Sequence, residues 1–198
     1  MSTPIILAST SQYRKQILVK LGFPFTCCDP RVDESHLADE SPTELVTRLA
    51  EAKATAGAQQ YSQGLIIGSD QVAVIDGVIV GKPSNHGAAV KQLMASSGKV
   101  ITFYTGISLH NIVSDHNESL CETFKVYFRH LTQLQIEHYL SREQPYHCAG
   151  SFKCEGLGIA LFERLEGKDP NTLIGLPLIT LTEMLNRQGY DVLALSNE

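Results

Sequence analysis

Residues 5–15 of the chain read IILASTSQYRK, and the strand and turn in this stretch set the pattern of the fold. Its first three residues are apolar and predict a short buried strand. Hydroxyl residues occupy positions 9–11, and Arg14 and Lys15 follow them. Apolar residues then recur at helical spacing as far as Gly22, where a helix would end. The stretch therefore predicts a strand that leads into a helix through a polar turn.

The polar turn is a candidate anion site. Hydroxyls and backbone N–H groups at the start of a helix favour an anion such as phosphate. Arg14 and Lys15 lie in the first turn, where the helix dipole disfavours cations, so an external anion would offset the repulsion. An N-capped helix with exposed basic residues would give the same pattern, and this loop alone does not separate the two interpretations.

Composition limits the class of protein. A chain of 198 residues with 43% hydrophobic and 19% charged residues predicts one ordered globular domain over residues 1–198, either undivided or with two lobes, and without a linker. The net charge of −5 argues against a general nucleic-acid binder but allows a local basic pocket. Five cysteines without paired metal spacing predict reduced thiols and disfavour zinc. We expect no signal peptide and no membrane span, and hence a cytoplasmic protein by elimination.

The rest of the chain alternates strand and helix patterns. Capping boxes at Ser41–Glu44 and Thr132–Gln135 predict the starts of two helices, and Asp76-Gly77 predicts a hairpin turn after an apolar strand. Further strands are predicted at residues 23–29, 100–109, 118–129 and 159–165, and further helices around residues 88–94 and after Pro177. Because two antiparallel pairs interrupt the alternation, we expect an α/β or α+β domain with a mixed sheet.

Asp70 is the most unusual residue of the apolar strand that precedes the hairpin. Aspartate is disfavoured in strands, and a buried carboxylate needs a metal, a lysine or backbone donors as a partner. Lys82 would lie near Asp70 in a regular hairpin, and Lys53 lies close to the buried face of its helix. Glu34 belongs to an acidic loop that is either a solvated surface or a source of cation ligands; the loop alone does not decide.

Seven short motifs occur in the order seen in the Maf family of nucleoside triphosphate pyrophosphatases, and the chain resembles that family over nearly its whole length. Each motif is weak alone, and the ordered set is specific. The motifs are Ser9-Thr10-Ser11-Gln12-Tyr13-Arg14, Asp33-Glu34, Glu51-Ala52-Lys53-Ala54, Gly68-Ser69-Asp70-Gln71, Gly81-Lys82-Pro83, Ala149-Gly150-Ser151-Phe152 and Gly175-Leu176-Pro177.

The resemblance implies a fold, a reaction and a set of site residues. The fold would be an elongated α/β structure of the ITPase-like kind, with two lobes around a central cleft. The reaction would split a nucleoside triphosphate into monophosphate and diphosphate with a divalent metal, Mg²⁺ or Mn²⁺. By resemblance, the phosphate loop comprises Ser9, Ser11, Arg14 and Lys15, and the catalytic residues are Asp70, Glu34, Lys53 and Lys82.

Residues 31–48 and 148–177 resemble the branch of the family that acts on N7-methylguanosine triphosphate. Three positions tied to substrate choice in the family carry Tyr13, Gln71 and Glu155. N7-methylguanine is a cation, which suits an aromatic face at Tyr13 and a carboxylate at Glu155. Gln71 can offer both a donor and an acceptor to a base edge. Without the resemblance, ordinary packing would explain Tyr13 and surface solvation would explain Glu155.

The resulting hypothesis is hydrolysis of 7-methyl-GTP to 7-methyl-GMP and diphosphate, which removes a modified nucleotide. Asp70 and Glu34 would hold the metal directly or through water, with Asp70 favoured as the base. The alternatives are a dTTP or UTP pyrophosphatase, a nucleotide-binding regulator of septum formation, and a structural interaction domain. The expected partner is a small nucleotide, with neither nucleic acid nor membrane; the oligomeric state is left open, with a homodimer as one arrangement.

Overall fold

The computed structural model describes residues 3–194, so the ends of the predicted domain, residues 1–2 and 195–198, lie outside the described residues. The chain forms two compact units. The first unit contains the residues up to Gln71, the segment Thr105–Glu122 and the residues from Asp169 onward. The second unit contains Val72–Tyr104 and Thr123–Lys168. Three long strands contribute residues to both units.

Within the described residues, seven strands form one mixed sheet in the order β2-β1-β3-β5-β6-β7, and β4 pairs with β3 beside this path. The strands are β1 Ile5–Ala8, β2 Thr26–Cys28, β3 Leu65–Ile75, β4 Val78–Val80, β5 Val100–Asn111, β6 His116–Phe128 and β7 Phe162–Gly167. The helices are α1 Gln12–Leu18, α2 Pro42–Ala58, α3 His86–Ser96, α4 Gln133–Glu143, α5 Pro170–Ile174 and α6 Leu178–Arg187. The predicted mixed-sheet α/β fold is confirmed.

In the first unit, β1 lies between β2 and β3 and is parallel to both. Its residues alternate between two cores: Ile5 and Leu7 pack with α1 and α6, whereas Ile6 and Ala8 pack with Ala54 of α2. A strand buried on both faces has to be apolar throughout, which explains the continuous run in the sequence.

Two glycines bring α2 unusually close to the sheet. A Cβ atom on Gly68 of β3 would lie 2.1 Å from the carbonyl oxygen of Ala50, and one on Gly106 of β5 would lie 2.0 Å from that of Val46. No other residue leaves room for this contact. The close approach brings the side chains of α2 within reach of the middle of β3.

In the second unit, β3 and β4 form a hairpin through Asp76 and Gly77, both with positive φ, and β6 pairs with β7 in antiparallel orientation. Phe124, Val126 and Phe128 are buried on one face of β6, as their alternation predicted. The unit also contains an aromatic cluster whose neighbouring ring centroids lie 5.0 to 5.5 Å apart in edge-to-face contacts: Phe103, Phe128, Phe152 and Phe162. Such contacts add to the stabilisation from apolar burial.

Most local signals in the sequence are confirmed. Ser41 and Thr132 cap α2 and α4 in complete capping boxes, and Gly22 ends the first helical segment in the left-handed conformation. Gly189 follows the last helix with positive φ. None of the helices within residues 3–194 has the length and apolar character needed to cross a lipid bilayer.

Three element boundaries were predicted wrongly. The strand expected at residues 23–29 is limited to Thr26–Cys28, since the preceding proline lacks the N–H that pairing needs. The strand expected at residues 159–165 starts later, at Phe162, because a 3₁₀ helix occupies Leu157–Leu161. The chain is tightly packed in this helix, where a Cβ atom on Gly158 would lie 2.2 Å from the Lys153 carbonyl oxygen. The expected loop at residues 110–117 is shorter, because β5 and β6 extend into it.

Candidate active site

The polar turn after β1 is held by its own hydroxyl groups. Ser11 is the N-cap of α1, and its Oγ accepts a hydrogen bond from the backbone N–H of Arg14 at 3.4 Å. The Oγ of Ser9, a buried residue, accepts one from the backbone N–H of Ser11 at 3.2 Å. Each hydroxyl thus keeps its own hydrogen for a further acceptor. Tyr13 is half-buried and Lys15 exposed in the same helix.

Arg14 is oriented by a backbone carbonyl that lies far from it in sequence. Its Nε donates to the carbonyl oxygen of Gly175 at 2.9 Å, and the hydroxyl of Ser69 donates to the same oxygen at 2.9 Å. Burial lowers the pKa of the Arg14 guanidinium, whereas the carboxylates of Asp70 and Glu34 raise it. The phosphate loop predicted from sequence therefore places its arginine in the electrostatic field of the two acidic residues predicted for catalysis.

Lys53 joins these two carboxylates. Its Nζ lies 2.7 Å from Oδ1 of Asp70 on β3 and 2.5 Å from Oε1 of Glu34 in the loop before α2. Lys53 is 5% exposed and Asp70 is 8% exposed, while 62% of the Glu34 side chain is accessible. Asp70, the buried carboxylate that was predicted to need a partner, is therefore paired with Lys53. The close packing of α2 at Gly68 brings Lys53 within reach of it.

Gln71 follows Asp70 and is fixed through its amide nitrogen. Nε2 donates to Oγ1 of Thr105 at 2.9 Å and to the carbonyl oxygens of Thr172 at 2.7 Å and Leu173 at 3.3 Å. Thr105 in turn donates to the Thr172 carbonyl at 3.0 Å. The sequence suggested that Gln71 could offer a base both a donor and an acceptor, but its donors are already used within the protein.

No helix was predicted at α5, whose carbonyl groups hold Gln71. The carbonyl of Gly175, the residue that follows α5, holds Ser69 and Arg14. Asp169 caps this helix, and Pro170 occupies its first turn. Asp169 is 1% exposed, and its carboxylate accepts from both nitrogens of Asn171 and from the backbone N–H of Ile179 in α6. An aspartate followed by proline is a typical helix start, so this signal was present in residues 169–170.

Lys82 and Glu155 belong to the second unit. The pairing of β4 with β3 ends at Val80, so the regular hairpin expected from the sequence stops before Lys82, which is exposed. Glu155 is also exposed and accepts a hydrogen bond from the Cys154 thiol at 3.3 Å. Burial, together with the nearby Glu155 carboxylate, raises the pKa of Cys154 to about 12.

The loop that carries Glu155 is anchored by Glu143 of α4. The Glu143 carboxylate accepts the backbone N–H of Leu157 at 2.8 Å and lies 3.7 Å from the Nζ of Lys153. Residues on both sides of Glu155 are therefore held by one acidic side chain. No pattern in the sequence singled out Glu143, because a carboxylate near the end of a helix is ordinarily a solvated surface group.

Comparison with known proteins gives a consistent result. The Maf-like protein family matches residues 4–188. A 7-methyl-GTP pyrophosphatase from Aliivibrio fischeri is 58% identical over 193 residues, which cover 98% of this chain and all of the relative. Among solved structures, a HAM1 protein from Coxiella burnetii matches 94% of this chain and 100% of its own, with a TM-score of 0.53 at 13% identity. The last comparison bears on the fold alone.

Proposed function

Because this chain belongs to the Maf family, we propose that it hydrolyses 7-methyl-GTP to 7-methyl-GMP and diphosphate. The observation that carries the proposal is the 58% identity to a pyrophosphatase of that specificity along the whole length of the relative. The substrate is a free nucleotide, and removal of a modified nucleotide from the cytoplasmic pool is the corresponding role. The geometry of the first unit supports each step of the chemistry.

The triphosphate binds through the turn after β1 and the first turn of α1. Ser9 and Ser11 have hydroxyl hydrogens to donate, and Arg14 is held at the turn by the Gly175 carbonyl. Lys15 adds an exposed positive charge on the same helix. Charge-assisted hydrogen bonds of this kind are the strong contacts to phosphate.

Asp70 acts as the general base that activates water for attack on the α-phosphorus. Lys53 anchors the Asp70 carboxylate at 2.7 Å and also contacts Glu34 at 2.5 Å, so one buried cation orients both acidic groups. A fixed carboxylate loses no rotational freedom when the reaction begins. Diphosphate leaves with a high negative charge, which the ammonium group of Lys53 stabilises.

A divalent cation, Mg²⁺ or Mn²⁺, fits the two carboxylates. Magnesium is usually held by one or two carboxylates, with substrate phosphates and water completing the shell. Glu34 and Asp70 form such a pair, and within residues 3–194 no cluster of three or more His, Cys, Asp or Glu side chains forms a closed protein site. When bound, the ion neutralises charge on the phosphates. We therefore expect activity to be lost with EDTA and restored by Mg²⁺ or Mn²⁺.

The first test is release of diphosphate from 7-methyl-GTP, GTP, dTTP, UTP, CTP and ATP in the presence of Mg²⁺ or Mn²⁺. We expect the highest kcat/KM for 7-methyl-GTP, and the Asp70→Asn variant should bind nucleotide but lose activity. A preference for dTTP or UTP would keep the enzyme class and overturn the base assignment. Binding without hydrolysis under any metal condition would instead support a regulatory protein.

The pair 7-methyl-GTP and GTP isolates the cationic base, since the two differ by one methyl group and its charge. Tyr13→Leu removes the aromatic face and should lower the preference for 7-methyl-GTP over GTP about fivefold. Tyr13→Phe keeps the ring and is the matched control, for which the preference should be unchanged. Glu155→Gln should also lower it, because the carboxylate complements the positive base.

A further inference from the structure

The hydrogen bonds around Gln71 determine which atom of its side chain can meet a base. Thr105 donates its hydroxyl hydrogen to the Thr172 carbonyl, so the Thr105 oxygen presents lone pairs to Gln71. The carbonyls of Thr172 and Leu173 are acceptors only. The group of Gln71 that faces these three oxygens must be its NH₂, and the opposite orientation would bring oxygen against oxygen.

The carboxamide oxygen of Gln71 is then its remaining polar atom. Among the residues that the structure describes, none donates a hydrogen bond to this oxygen. Within residues 3–194, Nδ1 of His110 is the one wholly buried side-chain nitrogen or oxygen that lacks a hydrogen-bond partner. The oxygen of Gln71 is therefore not wholly buried, and it can only accept.

We propose that Thr105 is a positioning residue for base selection: together with the Thr172 and Leu173 carbonyls, its hydroxyl oxygen holds the NH₂ of Gln71 so that the substrate base meets an acceptor alone. This inference rests on the proposed function and deepens it. The Watson–Crick edge of 7-methylguanine carries a ring N–H and an amino group next to it, both donors. Adenine has a ring nitrogen with a lone pair at the same position, which a fixed acceptor repels. Gln71 thus favours 7-methyl-GTP over ATP because its carboxamide is oriented with the oxygen towards the base.

The test compares Thr105→Val with Thr105→Ser. Valine keeps the shape and removes the hydroxyl, whereas serine keeps the hydroxyl. Loss of one neutral hydrogen bond should lower the kcat/KM ratio of 7-methyl-GTP to ATP about fivefold in Thr105→Val. The change should lie in KM for 7-methyl-GTP, with kcat within about twofold of wild type, because the phosphate and carboxylate groups are untouched. Thr105→Ser should behave as wild type.

A double variant separates positioning from general damage. In a Gln71→Ala background the Thr105→Val change should have no further effect on the ratio, because the residue through which it acts is gone. An equal effect in both backgrounds would overturn the inference, as would an unchanged ratio in Thr105→Val. If wild type itself prefers ATP or a pyrimidine nucleotide, the proposed function fails and this inference fails with it.

A measurement on the wild-type protein does not depend on the folding of any variant. The side-chain NH₂ of Gln71 can be assigned by NMR through its loss in Gln71→Ala. We expect its hydrogens to be protected from exchange with solvent in the free protein. Exchange as fast as that of an exposed glutamine would show that the amide is not held and would overturn the inference.

Discussion

Replacement of Lys53 by methionine is expected to destabilise the protein by about 3 kcal/mol, which is the range for removing one partner of a buried ion pair. At the observed 2.7 Å, the gross attraction between Lys53 and Asp70 is about 6 kcal/mol for an effective dielectric constant of 20. Part of this is offset because methionine also removes the cost of burying the ammonium group. Glu34 adds little to the loss, since 62% of its side chain is in contact with water.

The structure also predicts an asymmetry between the two partners. Lys53→Met removes the cation that is hydrogen-bonded to the buried Asp70 carboxylate, whereas Asp70→Asn leaves Lys53 with Glu34 at 2.5 Å. We therefore expect Asp70→Asn to cost only about 1 kcal/mol, the scale of one hydrogen-bonding change. The double variant should be more stable than Lys53→Met alone, because the uncompensated charge is absent.

The assay is chemical unfolding followed by circular dichroism, from which the free energy of unfolding is obtained for each variant. Lys91→Met, at an exposed lysine of α3, is the matched control and should lie within about 0.5 kcal/mol of wild type. Equal losses for Lys53→Met and Asp70→Asn that simply add in the double variant would refute the reasoning. A loss below about 1 kcal/mol for Lys53→Met would also refute it.

Three further predictions concern the scaffold. Gly68→Ala should destabilise by about 3 kcal/mol or more in thermal unfolding, since its Cβ would lie 2.1 Å from a helix carbonyl. Gly77→Ala has open space and a φ of 80°, so it should cost only about 1–2 kcal/mol; equal losses would contradict the packing argument. Ser41→Ala removes the α2 cap and should cost about 1 kcal/mol, with no loss in melting temperature as the contradicting result. Hydrogen bonds from Arg48 lower the pKa of Glu40 to about 2. The stabilisation is complete above the unfolded pKa and is lost as pH falls towards 2, so Glu40→Gln should flatten the decline of stability between pH 5 and 2; an unchanged slope would contradict it.

The residues proposed for base recognition differ in how much the structure constrains them. Gln71 is held by three acceptors on β5 and α5, so its proposed role reduces to its carboxamide oxygen. Glu155 is exposed, in a loop that Glu143 anchors on both sides. Variants of Gln71 should therefore change base preference through orientation, while variants of Glu155 should act mainly through charge.

The sequence by itself determined the features that depend on neighbouring residues. The capping box at Ser41, the hairpin at Asp76-Gly77 and the buried strand at residues 5–8 follow from backbone hydrogen bonding and side-chain periodicity over a few positions. The order of the motifs identified the family. The sequence also marked Asp70 as a buried carboxylate that requires a partner, because it lies within an apolar strand pattern and the burial of an unpaired charge is costly.

Only the tertiary structure decided which partner each polar group has. Lys53 reaches Asp70 because two glycines let α2 pack against the sheet, and no local pattern reports a contact between a helix and distant strands. The donors of Gln71 are taken by carbonyl groups about one hundred residues later in the chain, so its freedom to read a base was overestimated. Hydrogen bonds and ion pairs depend on distances of about 3 Å, and chain folding sets those distances where sequence spacing does not.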